Sequence, residues 1–209
     1  MIITTPEIEQ YITNLLPPRH EVFLELEAYA QEQSFPIIGP MVGNVLSMLA
    51  ASVGSRRVME LGSGFGYSAL WFASALPEDA RIFCTDGNEA HRDRALQAFE
   101  RVGVSERIEF HCGDALGIFS EMEGDFDFIF CDIDKHEYPA AFRAAFPRVR
   151  QGGYLAFDNA LWSGRMLEGD TREATAGVVA LNRLAFSEPG CHAAILPIRD
   201  GVLLCRKLR

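Results

Sequence analysis

From Arg57 onward, short apolar runs alternate with segments of helical pattern, and that alternation leaves few architectures open. Val58-Met59-Glu60-Leu61 reads as a first strand, and the glycine-rich loop after it opens a helix through Leu70, Trp71 and Ala73. Arg81 to Asp86 reads as the second strand, Ile108 to His111 as the third, Phe126 to Cys131 as the fourth and Gly153 to Phe157 as the fifth. Helices are expected over about Glu89 to Val102 and through Tyr138 and Phe146. This repetition predicts an α/β protein built on a mostly parallel, doubly wound sheet. The tail departs from it. Ala193 to Ile198 and Val202 to Cys205 flank Arg199-Asp200-Gly201 and read as a β-hairpin, so antiparallel strands should finish one edge.

The first 50 or so residues read as helical. Thr5-Pro6 starts one helix and Leu15-Leu16-Pro17-Pro18 stops it, because proline suits a first turn and cannot continue a helix. Val22, Leu24, Leu26 and Tyr29 suggest a second helix, and Val45, Leu46, Met48 and Leu49 a third. One domain is expected over 1–209, with a helical cap over 1–53 and the α/β core over 54–209.

At 209 residues the chain can bury a substantial core. No apolar stretch approaches the roughly 18 residues a membrane helix needs, and the N-terminus has no signal-peptide pattern. Cys84, Cys112, Cys131, Cys191 and Cys205 are scattered without a CxxC motif, so reduced thiols and a cytoplasmic setting are expected. A net charge of −10 argues against broad contact with nucleic acid and directs attention to small molecules.

The first strand runs into Gly62-Ser63-Gly64-Phe65-Gly66-Tyr67-Ser68 and then a helix. In open α/β sheets ligands bind beyond the carboxyl ends of strands, where this loop sits. A GxG pattern also serves ordinary tight turns, so the surroundings decide. A dinucleotide fingerprint wants a small residue where Tyr67 stands, and Glu60 would repel a pyrophosphate. Glu60 suits a ligand carrying an ammonium and a sulfonium. Asp86, ending the second strand, is placed to accept from two ribose hydroxyls, with a helix cap or turn as its plainer role. Together these residues favour S-adenosylmethionine over a nicotinamide dinucleotide.

The fourth strand runs into Asp132-Ile133-Asp134-Lys135 and the fifth into Asp158-Asn159. If these strands are neighbours, their ends lie about 5 Å apart. Asp132, Asp158 and Asn159 then offer three oxygen donors to a hard divalent ion such as Mg²⁺, leaving positions for two substrate oxygens and a water. No histidine or cysteine within either motif supports zinc. Helix caps and turns are the plainer reading of each residue alone. Asp134 reads as a supporting or capping carboxylate. Lys135 is either a solvated lysine or, since a dication disfavours its charged form, a general base.

Four segments resemble the metal-dependent O-methyltransferases that include the catechol and caffeoyl-CoA enzymes, the bacterial members above all. They are Glu60 to Ser68, Gly113-Asp114-Ala115-Leu116, Phe126 to Lys135, and Asp158-Asn159-Ala160-Leu161-Trp162-Ser163-Gly164-Arg165-Met166. Leu196-Pro197-Ile198 with Asp200-Gly201 is similar to that family's closing hairpin. The resemblance implies a Rossmann-like seven-stranded sheet in the order 3-2-1-4-5-7-6. It also implies S-adenosylmethionine contacts from Ile38, Glu60, Gly62, Ser68, Asp86, Ala115 and Asp132, and metal ligation by Asp132, Asp158 and Asn159. Lys135 is the implied catalytic lysine, Trp162 lines the implied substrate pocket, and a homodimer is the implied assembly. Gly87-Asn88 replace the residues usual after the ribose carboxylate, and the stretches before residue 39 and between Leu167 and Cys191 align poorly. A free catechol, a hydroxycinnamoyl ester and another vicinal diol therefore all stay open as acceptor. Two rival readings are a degenerate cofactor-binding sensor and a nicotinamide-dependent oxidoreductase. The retained Asp132, Lys135, Asp158 and Asn159 weigh against the sensor, and Tyr67 with the tail against the oxidoreductase.

Overall fold

A computed structural model describes residues 3–208, so Met1, Ile2 and Arg209 of the terminal stretches lie outside it. Three helices come first: α1 (Pro6–Leu15), α2 (Glu21–Glu32) and α3 (Gly39–Ser52). They are followed by β1 (Arg57–Leu61), α4 (Tyr67–Ala75), β2 (Arg81–Asp86), α5 (Glu89–Val102) and β3 (Ile108–Cys112). The second half holds α6 (Ala115–Glu121), β4 (Phe126–Cys131), α7 (Tyr138–Ala145), β5 (Val149–Phe157), α8 (Glu173–Ser187), β6 (Cys191–Leu196) and β7 (Val202–Lys207). The seven strands form one sheet in the order β3-β2-β1-β4-β5-β7-β6, and β7 runs antiparallel to both β5 and β6.

The strand sequences explain why the sheet is covered on both faces. Successive side chains of a strand point to opposite sides. Val58, Phe128, Phe130 and Ala156 enter one core with α2, α3, α4 and α5, while Met59, Ile129, Leu155 and Phe157 enter the other with α7 and α8. Both sets are apolar, so the runs look continuous rather than alternating, as parallel strands buried on two faces do. Phe72 meets Phe128 in the first core, and Tyr138 meets Phe157 in the second, with ring centroids 5.4 and 5.1 Å apart.

Several elements differ from the sequence reading. The third helix starts at Gly39, with Pro40 in its first turn, well before the Val45 to Leu49 stripe. The fifth strand begins at Val149 rather than Gly153; the Arg150-Gln151-Gly152 stretch after it is polar, which hides that start in the sequence. α6 and α8 were not anticipated. Among the described residues no helix is long and apolar enough to cross a membrane.

Candidate active site

All the candidate residues lie at or beneath the carboxyl edge of the parallel strands. The backbone N–H of Asp132 donates to Leu61 O at 2.8 Å, and that of Asp158 to Cys131 O at 3.2 Å, so the ends of β1, β4 and β5 stay in register past the last strand residue. Asp132 and Asp158 therefore leave neighbouring strands side by side. Tyr138, fully buried, donates its hydroxyl to Asp158 O at 3.0 Å and fixes the second turn.

A cavity of about 450 Å³ opens over the glycine loop. Ile38, Gly62, Ser68, Asp86, Ala115, Asp132 and Lys135 all line it, which brings together every candidate cofactor residue except Glu60. Gly62 has φ +84°, and a Cβ there would stand 2.5 Å from Asp132 O, so the loop passes β4 at a distance only glycine permits. Asp86 is not the cap of α5, a role that Asn88 fills by accepting from Ala90 N at 2.9 Å. Its Oδ2 instead takes Gly64 N at 3.0 Å, and its Oδ1 takes Asn88 N at 2.9 Å and sits 3.0 Å from His91 Nδ1. A carboxylate has about four lone-pair sites, so it retains capacity for a hydroxyl donor.

Glu60 lies beneath this loop, fully buried, with the Cys84 thiol 3.6 Å from Oε2. Burial pushes its carboxyl up to about 7, against the opposing pull of the Ser68 and Ser63 hydroxyls and Cys84. Among the described residues its Oε1 has no hydrogen-bond partner. A buried, under-satisfied carboxylate fits a cationic ligand in the cavity above, which the glycine cradle leaves open to close approach. It also has a measurable cost. The native carboxyl holds its proton up to about pH 7, whereas the unfolded one releases it near 4.5, so stability falls as pH rises through that window. The difference corresponds to about 3 kcal/mol at most. Glu60→Gln is expected to flatten the decline in melting temperature of the ligand-free protein between pH 5 and 8. Parallel curves for the two proteins would refute this.

A second cavity, about 290 Å³, shares Pro36, Ile37, Asp132 and Lys135 with the first. Asp158, Asn159, Ser163, Arg199 and Asp200 line its far side, with Ile3, Thr4 and Glu9 from the N-terminal segment. Lys135 Nζ donates to Asp132 Oδ1 at 2.7 Å and to Ile133 O at 3.2 Å, and so stands where the cavities meet. Asp158 is buried, and burial together with the Asp132 charge raises its carboxyl well above the usual range. Among the described residues no three His, Cys, Asp or Glu side chains converge as a metal site. The donor set is two carboxylates and the Asn159 amide, whose oxygens and deficit of positive charge fit a hard cation.

Trp162 lines neither cavity. Its ring centroid is 5.9 Å from Lys135 Nζ, Arg165 stacks on it at 4.8 Å, and its indole N–H donates to Thr175 Oγ1 at 3.0 Å. Asp134 makes no side-chain cap bond to the turn that follows it. Sequence reasoning missed the Phe35 to Ile37 loop, His91, Arg199 and the side chain of Asp200 as parts of the site. Phe35 packs edge-on to His91 at 4.9 Å and tilted against Phe65 at 5.1 Å, roofing the first cavity. Arg199 donates to Ile37 O at 2.6 Å and pairs with Glu9 at 3.3 Å, roofing the second. Only the Asp200-Gly201 turn carried a signal in the chain, and it spoke for a turn alone.

Residues 18–208 match the sequence profile of a family described as O-methyltransferase. The caffeoyl-CoA O-methyltransferase of Medicago sativa is 31% identical over 225 residues, spanning 100% of this chain and 91% of that protein. Among solved structures, the O-methyltransferase from Bacillus cereus in complex with SAH superposes with a TM-score of 0.88 at 27% identity, over 96% of this chain and 97% of its own. The O-methyltransferase TomG from Streptomyces achromogenes, involved in tomaymycin synthesis and solved with SAM, gives 0.89 at 25% identity, over 97% and 96%.

Proposed function

We propose that this chain, which belongs to the O-methyltransferase family, moves the methyl group of S-adenosylmethionine to one hydroxyl of a small catechol-like vicinal diol, with a divalent cation, by preference Mg²⁺, at Asp132, Asp158 and Asn159. The observation that carries this reading is the junction of the two cavities at Asp132 and Lys135. A donor in the first cavity and an acceptor in the second meet there. The SAH and SAM bound to two structural neighbours support the cofactor, and the caffeoyl-CoA enzymes among the relatives support a phenolic acceptor. The homodimer and the cytoplasmic setting rest on the family resemblance and the cysteine pattern.

S-adenosylmethionine supplies an electrophilic methyl group on a sulfonium, and a divalent cation supplies charge that eases loss of a proton from a chelated hydroxyl. The chain's own residues do the rest. Gly62 and Ser68 admit the methionine end close to the backbone, Asp86 accepts from the ribose, and a cationic ligand above the buried Glu60 favours the ionised form of that carboxyl. Ile38 and Ala115 close the cavity walls. Lys135 is the residue whose Nζ would take the proton of the reacting hydroxyl at the junction of the cavities. Trp162, though outside both cavity linings, stands beside that amine and belongs to the acceptor side of the site. Most of the acceleration then comes from holding oxygen and methyl in line.

The test is S-adenosylhomocysteine formation with a panel of catechols, run with Mg²⁺ and with EDTA, beside a binding measurement for S-adenosylmethionine. Turnover that EDTA abolishes is the expected result. Turnover indifferent to EDTA would remove the cation, and absence of S-adenosylmethionine binding would overturn the whole reading.

A further inference from the structure

We propose that Asp200 is a positioning residue that orients Asn159, presenting the amide oxygen to the cation; this rests on the metal reading above. Asn159 Nδ2 donates to Asp200 Oδ2 at 3.3 Å. A carboxylate only accepts, so with its amide nitrogen drawn to Asp200, the sole acceptor of the Asn159 side chain is turned to the other side. Without that partner the amide is free to rotate and to present N–H groups, which cannot ligate a cation.

The turn needs such a hold. Asn159 sits at φ +56°, and Trp162 and Ser163 at φ +42° and +52°, in the left-handed region that side chains rarely adopt. Asp200 Oδ1 takes both the backbone N–H of Ser163 and its hydroxyl, the latter at 3.1 Å. The main chain adds Ala160 N to Gly201 O at 2.8 Å and Leu161 N to Asp200 O at 2.9 Å. Thus the hairpin turn between β6 and β7 is stitched to the turn after β5, and one carboxylate engages both the amide and the backbone that carries it.

Mn²⁺ affinity, measured by electron paramagnetic resonance or calorimetry on the full chain, tests this. Asp200→Ala is expected to weaken Mn²⁺ binding about 10–100-fold, as loss of a ligand's hydrogen-bond partner does. Affinity for S-adenosylhomocysteine, read on the same samples, should stay within about twofold of wild type, since Asp200 is absent from the first cavity. In an Asn159→Ala background the Asp200→Ala loss should vanish, because the carboxylate acts through the amide. Unchanged Mn²⁺ affinity, or a loss that persists in the Asn159→Ala background, overturns the assignment. Should Asp200→Ala fail to fold, Asp200→Leu, close in shape and without an acceptor, is expected to show the same ordering of effects, with unchanged affinity again overturning it. A wild-type protein that binds no Mn²⁺ would instead overturn the metal reading, and this inference with it.

Discussion

Lys135→Ala is expected to lower kcat by about 10²–10⁴-fold, the range a positioned general base supplies. Affinity for S-adenosylmethionine should change little, because only one of many walls of the first cavity is removed. The wild-type geometry says why the effect is specific. Lys135 is held by Asp132 Oδ1 and Ile133 O, with the rings of Tyr138 and Trp162 at 5.3 and 5.9 Å, so its amine is fixed at the junction of the cavities. Alanine leaves Asp132 without that partner, yet the carboxylate is 23% exposed and can be hydrated, so the fold should survive. Kinetics separate the roles. A fall in kcat with steady S-adenosylmethionine binding marks a proton acceptor, and kcat unaltered at saturating acceptor and metal would dispose of that role. Arginine cannot serve as a proton acceptor, so Lys135→Arg should be as slow as alanine.

The sheet was legible because most of its strands hold a short apolar run ended by a polar or glycine residue. The two faces enter different cores, but neither is polar, so Val58 and Met59, or Phe128 and Ile129, read as strand whichever way they turn. The hairpin was legible from Arg199-Asp200-Gly201. Helix α6 was hidden by its length, seven residues starting inside the Gly113 to Leu116 motif. For α8 the signal existed: Val178, Leu181 and Ala185 follow helical spacing and are all fully buried. At the site, strand-end carboxylates could be placed from the order of the motifs, because neighbouring strands bring their ends together. The roof could not. Arg199 reaches Ile37 across 162 residues, and Asp200 reaches Asn159 across 41, and nothing in the local pattern of either residue announces a partner so distant. Trp162 shows the converse. Its motif suggested the pocket wall, while the structure lays its ring beside Lys135 and ties its nitrogen to α8 through Thr175.

That tie makes α8 the place where a change far from the chemistry should act most strongly. Gly177 lies against the turn carrying Lys135: a Cβ there would collide with the carbonyl oxygen of Lys135 and stand 2.8 Å from the Cα of His136. Both obstacles are backbone, so no side chain can swing aside to relieve them. Gly177→Ala would gain helix propensity, about 1 kcal/mol in an open helix. Overpacking in a tight core costs about 1–3 kcal/mol, and occasionally more. Here the clash is deeper than a misplaced methylene, so overpacking wins and the net effect should be destabilising. Relief requires α8 to draw back or the Lys135 turn to shift. The first opens the core around Val178 and Leu181, and the second moves the amine off the cavity junction. Chemical denaturation and steady-state kinetics on one variant therefore read a single cause in two ways. A lowered unfolding midpoint together with a kcat reduced about tenfold or more is expected, since small misplacements of a catalytic group are costly. Gly177→Ala with wild-type stability and wild-type kcat would mean that α8 does not brace the lysine at all.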